Sequence, residues 1–272
     1  MSQAGKGNAA ENTRTLLKTY IITLPEAVKR RRFMEAQLAN FPFMDPEFVS
    51  GPRGAELTRE DLEQSVDEAR CRQTIGRMLT PNEVGCSLTH LDLMRRISKE
   101  NLPVALILED DALISGRLGS VISDVARILA SSGPQILLLT PCKYLRTKGI
   151  PINEDFAVRP FFSGFYSSGY LVNLAAARTV PSALLPLRAV IDWWNVMRED
   201  TGVTVNALVP YLVGISISEH TVSYLNLGPS KRPTAGPAER KGMFAKWREF
   251  GDHVVQGLSE RVRGIRGQRL VF

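Results

Sequence analysis

The chain is poor in cysteine and has no long apolar run, and each scarcity excludes a class of protein. Its three cysteines, Cys71, Cys86 and Cys142, are odd in number, widely spaced and form no C-x-x-C pair. That pattern indicates neither a zinc cage nor a disulfide framework, and predicts reduced thiols in the core. No stretch approaches the roughly 20 consecutive apolar residues that cross a bilayer. Residues Met1 to Asn12 are polar and small, without the charged and then apolar regions of a secretory leader. The expectation is a cytoplasmic protein. Internal repeats and low-complexity tracts are also missing.

At 272 residues and 44% apolar content, the chain can bury a sizeable core. The expected layout is a flexible extension over 1–17, one α/β catalytic domain over 18–228 and a tail over 229–272. A formal charge of +6 suggests a nucleic-acid or membrane partner until it is located. From Pro229 to Phe272 ten Lys/Arg face four acids, whereas the first 228 residues carry equal numbers of each sign. The body is neutral, which speaks against a nucleic-acid partner, and the imbalance lies in the tail.

Along the body, strands alternate with helices, the pattern of a layered α/β sheet. Thr19–Leu24 is β-branched and aromatic, ends at Pro25 and precedes helical spacing through Glu26–Asn40. Phe41 to Met78 reads as loop, with Gly51-Pro52-Arg53-Gly54 as punctuation, followed by a surface helix. Thr80-Pro81-Asn82-Glu83 is a helix start, with Thr as cap, Pro at the first position and Glu closing a capping box. The helix should run to about Ser98, with Glu83, Ser87 and His90 sharing a polar face. Pro103 leads into Val104–Leu108, an apolar run suited to a strand buried on both sides. A further strand is expected at Gln135–Thr140 after a helix over Leu118–Ala130, and another helix over Asn173–Leu184.

The buried strand ends in Glu109-Asp110-Asp111. Adjacent carboxylates resist joint ionisation, and a divalent cation relieves that repulsion. Open α/β sheets bind ligands at the carboxyl ends of strands. A Mn²⁺ or Mg²⁺ there could stabilise charge building on a departing diphosphate. In an extended segment Glu109 and Asp111 point one way, toward metal and ribose, and Asp110 the other. The bland alternative is that the acids cap the next turn.

In ordered blocks the chain resembles glycosyltransferase family 25, the lipooligosaccharide galactosyltransferase-like family that also contains the collagen galactosyltransferases. Tyr20–Leu24 with Arg30-Arg31-Arg32 and Gln37 is similar to the family's opening strand and helix. Leu79 to His90 resembles its L-T-x-x-E-x-G-C-x-x-S-H block, with Thr89 in place of Ser. Ala105 to Asp111 resembles its strand and acidic triplet, and Ser168-Gly169-Tyr170-Leu171-Val172 a later segment. Asp192 falls where the family has a late aspartate, here followed by Trp193-Trp194. The resemblance implies a GT-A-type single domain, with a mixed central sheet flanked by helices. It also implies a UDP-sugar donor, often UDP-galactose, a divalent metal and inversion at the anomeric carbon. Inversion needs a base for the acceptor hydroxyl, for which Asp192, Asp110 and His220 are candidates.

Donor contacts are expected from Thr23, Leu24, Arg31, Glu83, Ser87, His90, Glu109, Asp110, Ser168 and Gly169. Metal contacts are expected from Glu109, Asp111 and His220. Plainer roles compete: a structural histidine at 90, a capping role at 83, a solvated basic face at 30–32 and a tight turn at 168–169. The expected acceptor is a surface glycan or glycolipid. Rival readings are a metal-dependent nucleotidyltransferase or phosphohydrolase, and an inactive family member acting as a binding module.

The tail has its own pattern. Met243/Phe244, Trp247, Phe250, Val254, Leu258, Val262 and Ile265 recur at helical spacing among basic residues, as in a basic amphipathic helix. Such a helix could lie on the anionic cytoplasmic face of an inner membrane, or pack on the body or in a homo-oligomer. Deleting residues 236–272 is expected to abolish co-sedimentation with anionic liposomes. Equal binding with and without the segment would overturn the membrane reading.

Overall fold

A computed structural model describes residues 16–142, 144–145 and 149–216. The tail over 229–272, His220 and nearly all of the 1–17 extension lie outside the described residues. The elements run in the order β1 (Leu17–Ile22), α1 (Val28–Leu38), β2 (Met44–Val49), α2 (Arg59–Ser65), α3 (Glu68–Ile75), α4 (Pro81–Lys99), β3 (Val104–Glu109), β4 (Ala112–Ile114), α5 (Ile122–Ala130), β5 (Gln135–Leu138), β6 (Tyr144–Leu145), β7 (Ile150–Pro151), β8 (Ala157–Ser163), β9 (Gly169–Asn173), α6 (Leu174–Leu184), α7 (Trp194–Thr201), β10 (Thr204–Val209) and β11 (Val213–Ile215).

One mixed sheet has the order β2-β1-β3-β9-β5-β10-β8-β6, with β7 beside β8, and β11 pairs separately with β4. Strands β1, β2 and β3 are mutually parallel, as are β5 and β10, whereas β9 runs antiparallel between β3 and β5. The chain moves from β1 outward to β2 and then crosses back to β3 on the other side of β1. The carboxyl ends of β1 and β3 therefore flank a topological switch point, the place where open α/β sheets form a crevice.

The apolar run of β3 is buried on both faces because helices cover both. Ala105 and Ile107 join the core under α4, α6 and α7, while Val104, Leu106 and Leu108 join the core under α1 and α5. The α4 capping box forms as its residues require. The Thr80 hydroxyl accepts from the Glu83 amide, and the Glu83 carboxylate accepts from the Thr80 amide at 2.8 Å. Asn173 does similar work on the other side. Its side-chain oxygen accepts from the Ala176 and Gln135 amides, and its Nδ2 donates to the Leu129 and Gly133 carbonyls, joining α6, β5 and the end of α5.

Two expectations need correction. Residues 44–49, read as loop, form β2. Asp45, Pro46 and Glu47 mask its strand character, and an edge strand tolerates a proline. The polar face of α4 is not solvated: Ser87 and His90 have no exposed surface, because α4 packs against α6 and the Gly54–Glu56 turn and shares a core with the sheet.

The loop at Gly51–Gly54 lies directly on α4. A Cβ on Gly85 would sit 2.4 Å from the Pro52 carbonyl oxygen, and one on Gly54 would sit 2.3 Å from the Asn82 amide nitrogen. Backbone stands on both sides of these contacts, so neither can yield cheaply. Gly85→Ala is expected to lower unfolding free energy by about 1–3 kcal/mol in a denaturant melt. Gly116→Ala, with no described atom within 4 Å of the added carbon, should leave it nearly unchanged.

Candidate active site

The acidic run begins on the last residue of β3. Glu109 is paired in register with Ile22, the last residue of β1, and Asp110-Asp111 form a tight turn before β4. The chain is thus turned, not extended, through the triplet, and the three side chains acquire different neighbours.

Asp110 is buried and fully engaged. Its Oδ1 accepts from Arg30 at 2.7 Å and its Oδ2 from the Thr23 hydroxyl at 2.7 Å. Arg30 reaches it from α1, where Arg30, Met34 and Leu38 form the buried stripe. One turn beyond Met34, the Gln37 amide donates to the Ala112 carbonyl and accepts from the Ile114 amide, both at 2.9 Å. Helix α1 therefore holds the β3–β4 turn on both sides.

Glu109 and Asp111 are electrostatically opposed. Burial pushes the Glu109 carboxyl up, but the His90 imidazole, the Ser167 hydroxyl and the Arg30 charge together hold it below its ordinary value. Burial first, and then the Glu109 charge, push Asp111 up to about 7. The buried Oδ1 of Asp111 has no hydrogen-bond partner among the described residues. Two carboxyl groups side by side thus divide into one held ionised and one held back from ionising.

Asp192 comes from the turn before α7. Its pKa is raised to about 6 by burial and by the Glu109 charge, which its Tyr166 hydrogen bond only partly offsets. That bond runs from the Tyr166 amide to Asp192 Oδ2 at 3.3 Å. Tyr166 has φ of 81°, a conformation that L residues other than glycine adopt rarely. Its carbonyl accepts from the Trp194 indole at 3.0 Å, so the strained residue is clamped between Asp192 and α7.

The acidic triplet lines a cleft of about 530 Å³, and Asp192 and Tyr166 lie outside its lining. The cleft is lined by Thr23 and Leu24 after β1, by the Gly51–Glu56 loop, and by Asn82, Cys86 and Thr89 of α4. Glu109, Asp110 and Asp111 line the end of it, and Arg30, Arg53, Glu26 and Glu56 are also on its surface.

Of the residues expected to contact a donor, Thr23, Leu24, Glu109 and Asp110 line this cleft. Ser168 and Gly169 lie behind it, where the Ser168 carbonyl accepts from the Glu109 amide and Gly169 pairs with Leu108. A Cβ on Gly169 would meet the Val213 side chain at 2.8 Å, so this glycine serves packing against β11. Glu83 closes its capping box and binds Arg77 through both oxygens. Ser87 accepts from the Ile191 amide at 3.2 Å, which anchors the segment carrying Asp192. His90 is buried behind Glu109. Arg31 points outward, paired with Glu35 and stacked on the Phe48 ring. Trp194 is fully buried edge-on to Tyr170, whereas Trp193 is partly exposed against Phe165.

Ser167, Tyr166 and the Gly51–Gly54 loop were not marked by any motif as donor-site residues, and of the Arg30-Arg31-Arg32 run Arg31, not Arg30, was the expected donor contact. Only Arg30 left a signal, since it alone of the three arginines is four residues from Met34 and eight from Leu38. Among the described residues, no three His, Cys, Asp or Glu side chains converge to hold a metal by themselves, and no helix is long and apolar enough to cross a membrane.

No curated protein matches the chain. The model of glycosyltransferase family 25, described as an LPS biosynthesis protein, matches residues 16–193, a span that holds every cleft residue and Asp192. The chain therefore belongs to glycosyltransferase family 25 and is a glycosyltransferase.

Proposed function

We propose that the protein is an inverting, metal-assisted transferase of the GT-A type. It moves a sugar, galactose by family resemblance, from a UDP-sugar to a hydroxyl of a lipopolysaccharide or lipooligosaccharide acceptor. The observation that carries this reading is one cleft with two unlike parts. Its walls of Leu24, Gly51 and Pro52 suit a flat nucleoside, and its far end presents Glu109 beside a buried Asp111 oxygen that no described residue engages.

The donor set fits a hard divalent cation. Mg²⁺ and ions like it are commonly held by one or two carboxylates, with phosphate and water oxygens completing the shell. Glu109 and Asp111 would hold Mn²⁺ or Mg²⁺, which when bound offsets charge gathering on the departing diphosphate. Asp110 is less suited to proton transfer, because Arg30 and Thr23 already engage both its oxygens. Asp192 fits the base better. A carboxylate with a pKa raised to about 6 is still ionised at neutral pH, yet accepts a proton more readily than an ordinary one. Tyr166 holds one of its oxygens, leaving the other to take the proton from the acceptor hydroxyl. Trp193, partly exposed beside it, offers an apolar face to an acceptor ring. The basic tail sequence supports an acceptor presented at an anionic membrane surface.

UDP-galactose with Mn²⁺ is expected to raise the melting temperature, and Asp111→Asn, folded by circular dichroism, should lose at least about a hundredfold of metal-dependent donor turnover. Full turnover by that variant would overturn the reading.

The raised pKa of Asp192 fixes a sign. The fold favours its neutral form, so the stability this group contributes is present below about pH 4 and is lost as pH rises through about 6. Asp192→Asn should therefore be more stable relative to wild type at pH 8 than at pH 4, while kcat falls about 10²–10⁴-fold. Wild-type kcat should rise with pH on a limb whose midpoint lies below about 6, because a cation beside Glu109 offsets the charge that raises Asp192. A variant that kept its kcat would exclude Asp192 as the base.

A further inference from the structure

The buried histidine behind Glu109 is not explained by packing alone. His90 has no exposed surface, and its Nδ1 lies 2.9 Å from the Tyr170 hydroxyl. Its Nε2 lies 3.8 Å from Glu109 Oε1 and has no hydrogen-bond partner among the described residues. Tyr170 is itself fully buried on β9.

Two neutral tautomers are compatible with those distances, and they differ in what they leave unsatisfied; a doubly protonated ring would leave the phenolic hydrogen without an acceptor, as the Nδ1–H tautomer does. If Nδ1 carried the proton and donated to Tyr170, the phenolic hydrogen would be buried without an acceptor. The Nε2 lone pair would also face the Glu109 carboxylate, a repulsive contact. If Tyr170 donates to Nδ1, both faults vanish: the phenol is satisfied, and an Nε2–H dipole points at the negative charge. The Ser167 hydroxyl donates to the same oxygen, Oε1. The protein thus engages one oxygen of Glu109 from two directions, while no described residue donates to Oε2, on the side chain that lines the cleft.

We propose that Tyr170 locks His90 in the Nε2–H tautomer, and that Tyr170, His90 and Ser167 act as positioning residues that present Glu109 Oε2 to the ligand. This rests on the reading of Glu109 as a donor-site carboxylate, but its test does not. The chain has three histidines, His90, His220 and His253, so a ¹⁵N-histidine-labelled full-length protein gives a spectrum that His90→Gln can assign by difference. The expected result for His90 is a pyrrole-type shift at Nε2 and a pyridine-type shift at Nδ1, both read in the unliganded protein. Tyr170→Phe removes one of the two biases, so both shifts should move toward their averaged values; shifts unchanged from wild type would show that Tyr170 does not set the tautomer and would overturn the proposal. An Nδ1–H tautomer or a doubly protonated ring in wild type would overturn the proposal, even if sugar transfer proceeds as described.

Kinetics supply the second arm. His90→Gln keeps an N–H near the Nε2 position, and His90→Asn places its amide near Nδ1. Gln should retain at least about tenfold more kcat than Asn, with donor KM changed less than kcat in both. Equal loss in the two variants would reduce His90 to a packing residue and defeat the proposal. If the tautomer pattern appears but neither wild type nor variants transfer sugar, the functional reading fails instead.

Discussion

The ion pair between Arg30 and Asp110 is the contact on which the site depends. Three consecutive carboxylates at the end of a strand buried on both faces would be strongly unfavourable if all three faced one another. Arg30 removes one of them from the problem by neutralising Asp110 at 2.7 Å with both side chains nearly buried. A buried pair of this kind adds little net stability, but losing one partner typically costs about 3–5 kcal/mol because a lone charge remains. Its use is geometric. It fastens the end of β3 to α1, and through Thr23 to the end of β1, so that the crevice at the switch point keeps its shape.

The remaining two carboxylates sit in unequal environments. Glu109 meets two donors and the Arg30 charge, whereas Asp111 meets burial and the Glu109 charge. The same negative charge also raises Asp192. One ionised glutamate thereby adds to burial in raising two aspartates on separate elements, and any cation bound beside it would lower both. Such a cation would act on Asp192 through space, without a shared hydrogen bond.

Much of this was legible in the sequence, for reasons that differ by element. The α4 start was readable because a capping box is a local hydrogen-bond pattern written in four adjacent residues. Strand β3 was readable because burial on both faces removes polar residues from the run. The edge strand β2 was not, since its partner lies on one side only and its exposed positions carry Asp45, Pro46 and Glu47. At the site, the acidic triplet announced itself, but its division of labour did not. That division follows from a turn at Asp110-Asp111 and from distant partners, Arg30 standing 80 and Thr23 87 residues before Asp110. Helical spacing could have separated Arg30 from Arg31, because only Arg30 shares the stripe with Met34 and Leu38.

The histidine illustrates how a polar residue on a helix can be misjudged in either direction. Spacing places His90 on a face with Glu83 and Ser87, and three polar residues on one face ordinarily mean water. Here each of the three meets a different internal partner. Glu83 serves the helix cap and Arg77, Ser87 holds the Ile191 amide, and His90 faces Tyr170 and Glu109. Ser87 steadies the segment that ends in Asp192, and His90 stands behind Glu109. A single helix therefore braces the Asp192 segment on one side and Glu109 on the other. Because α4 is also the surface on which the Gly51–Gly54 loop rests, a shift of this helix would move that side of the cleft together with the supports of Glu109 and Asp192. The packing contacts of Gly85 and the polar contacts of Ser87 and His90 are thus parts of one requirement, that α4 sit at a fixed depth beside the end of β3.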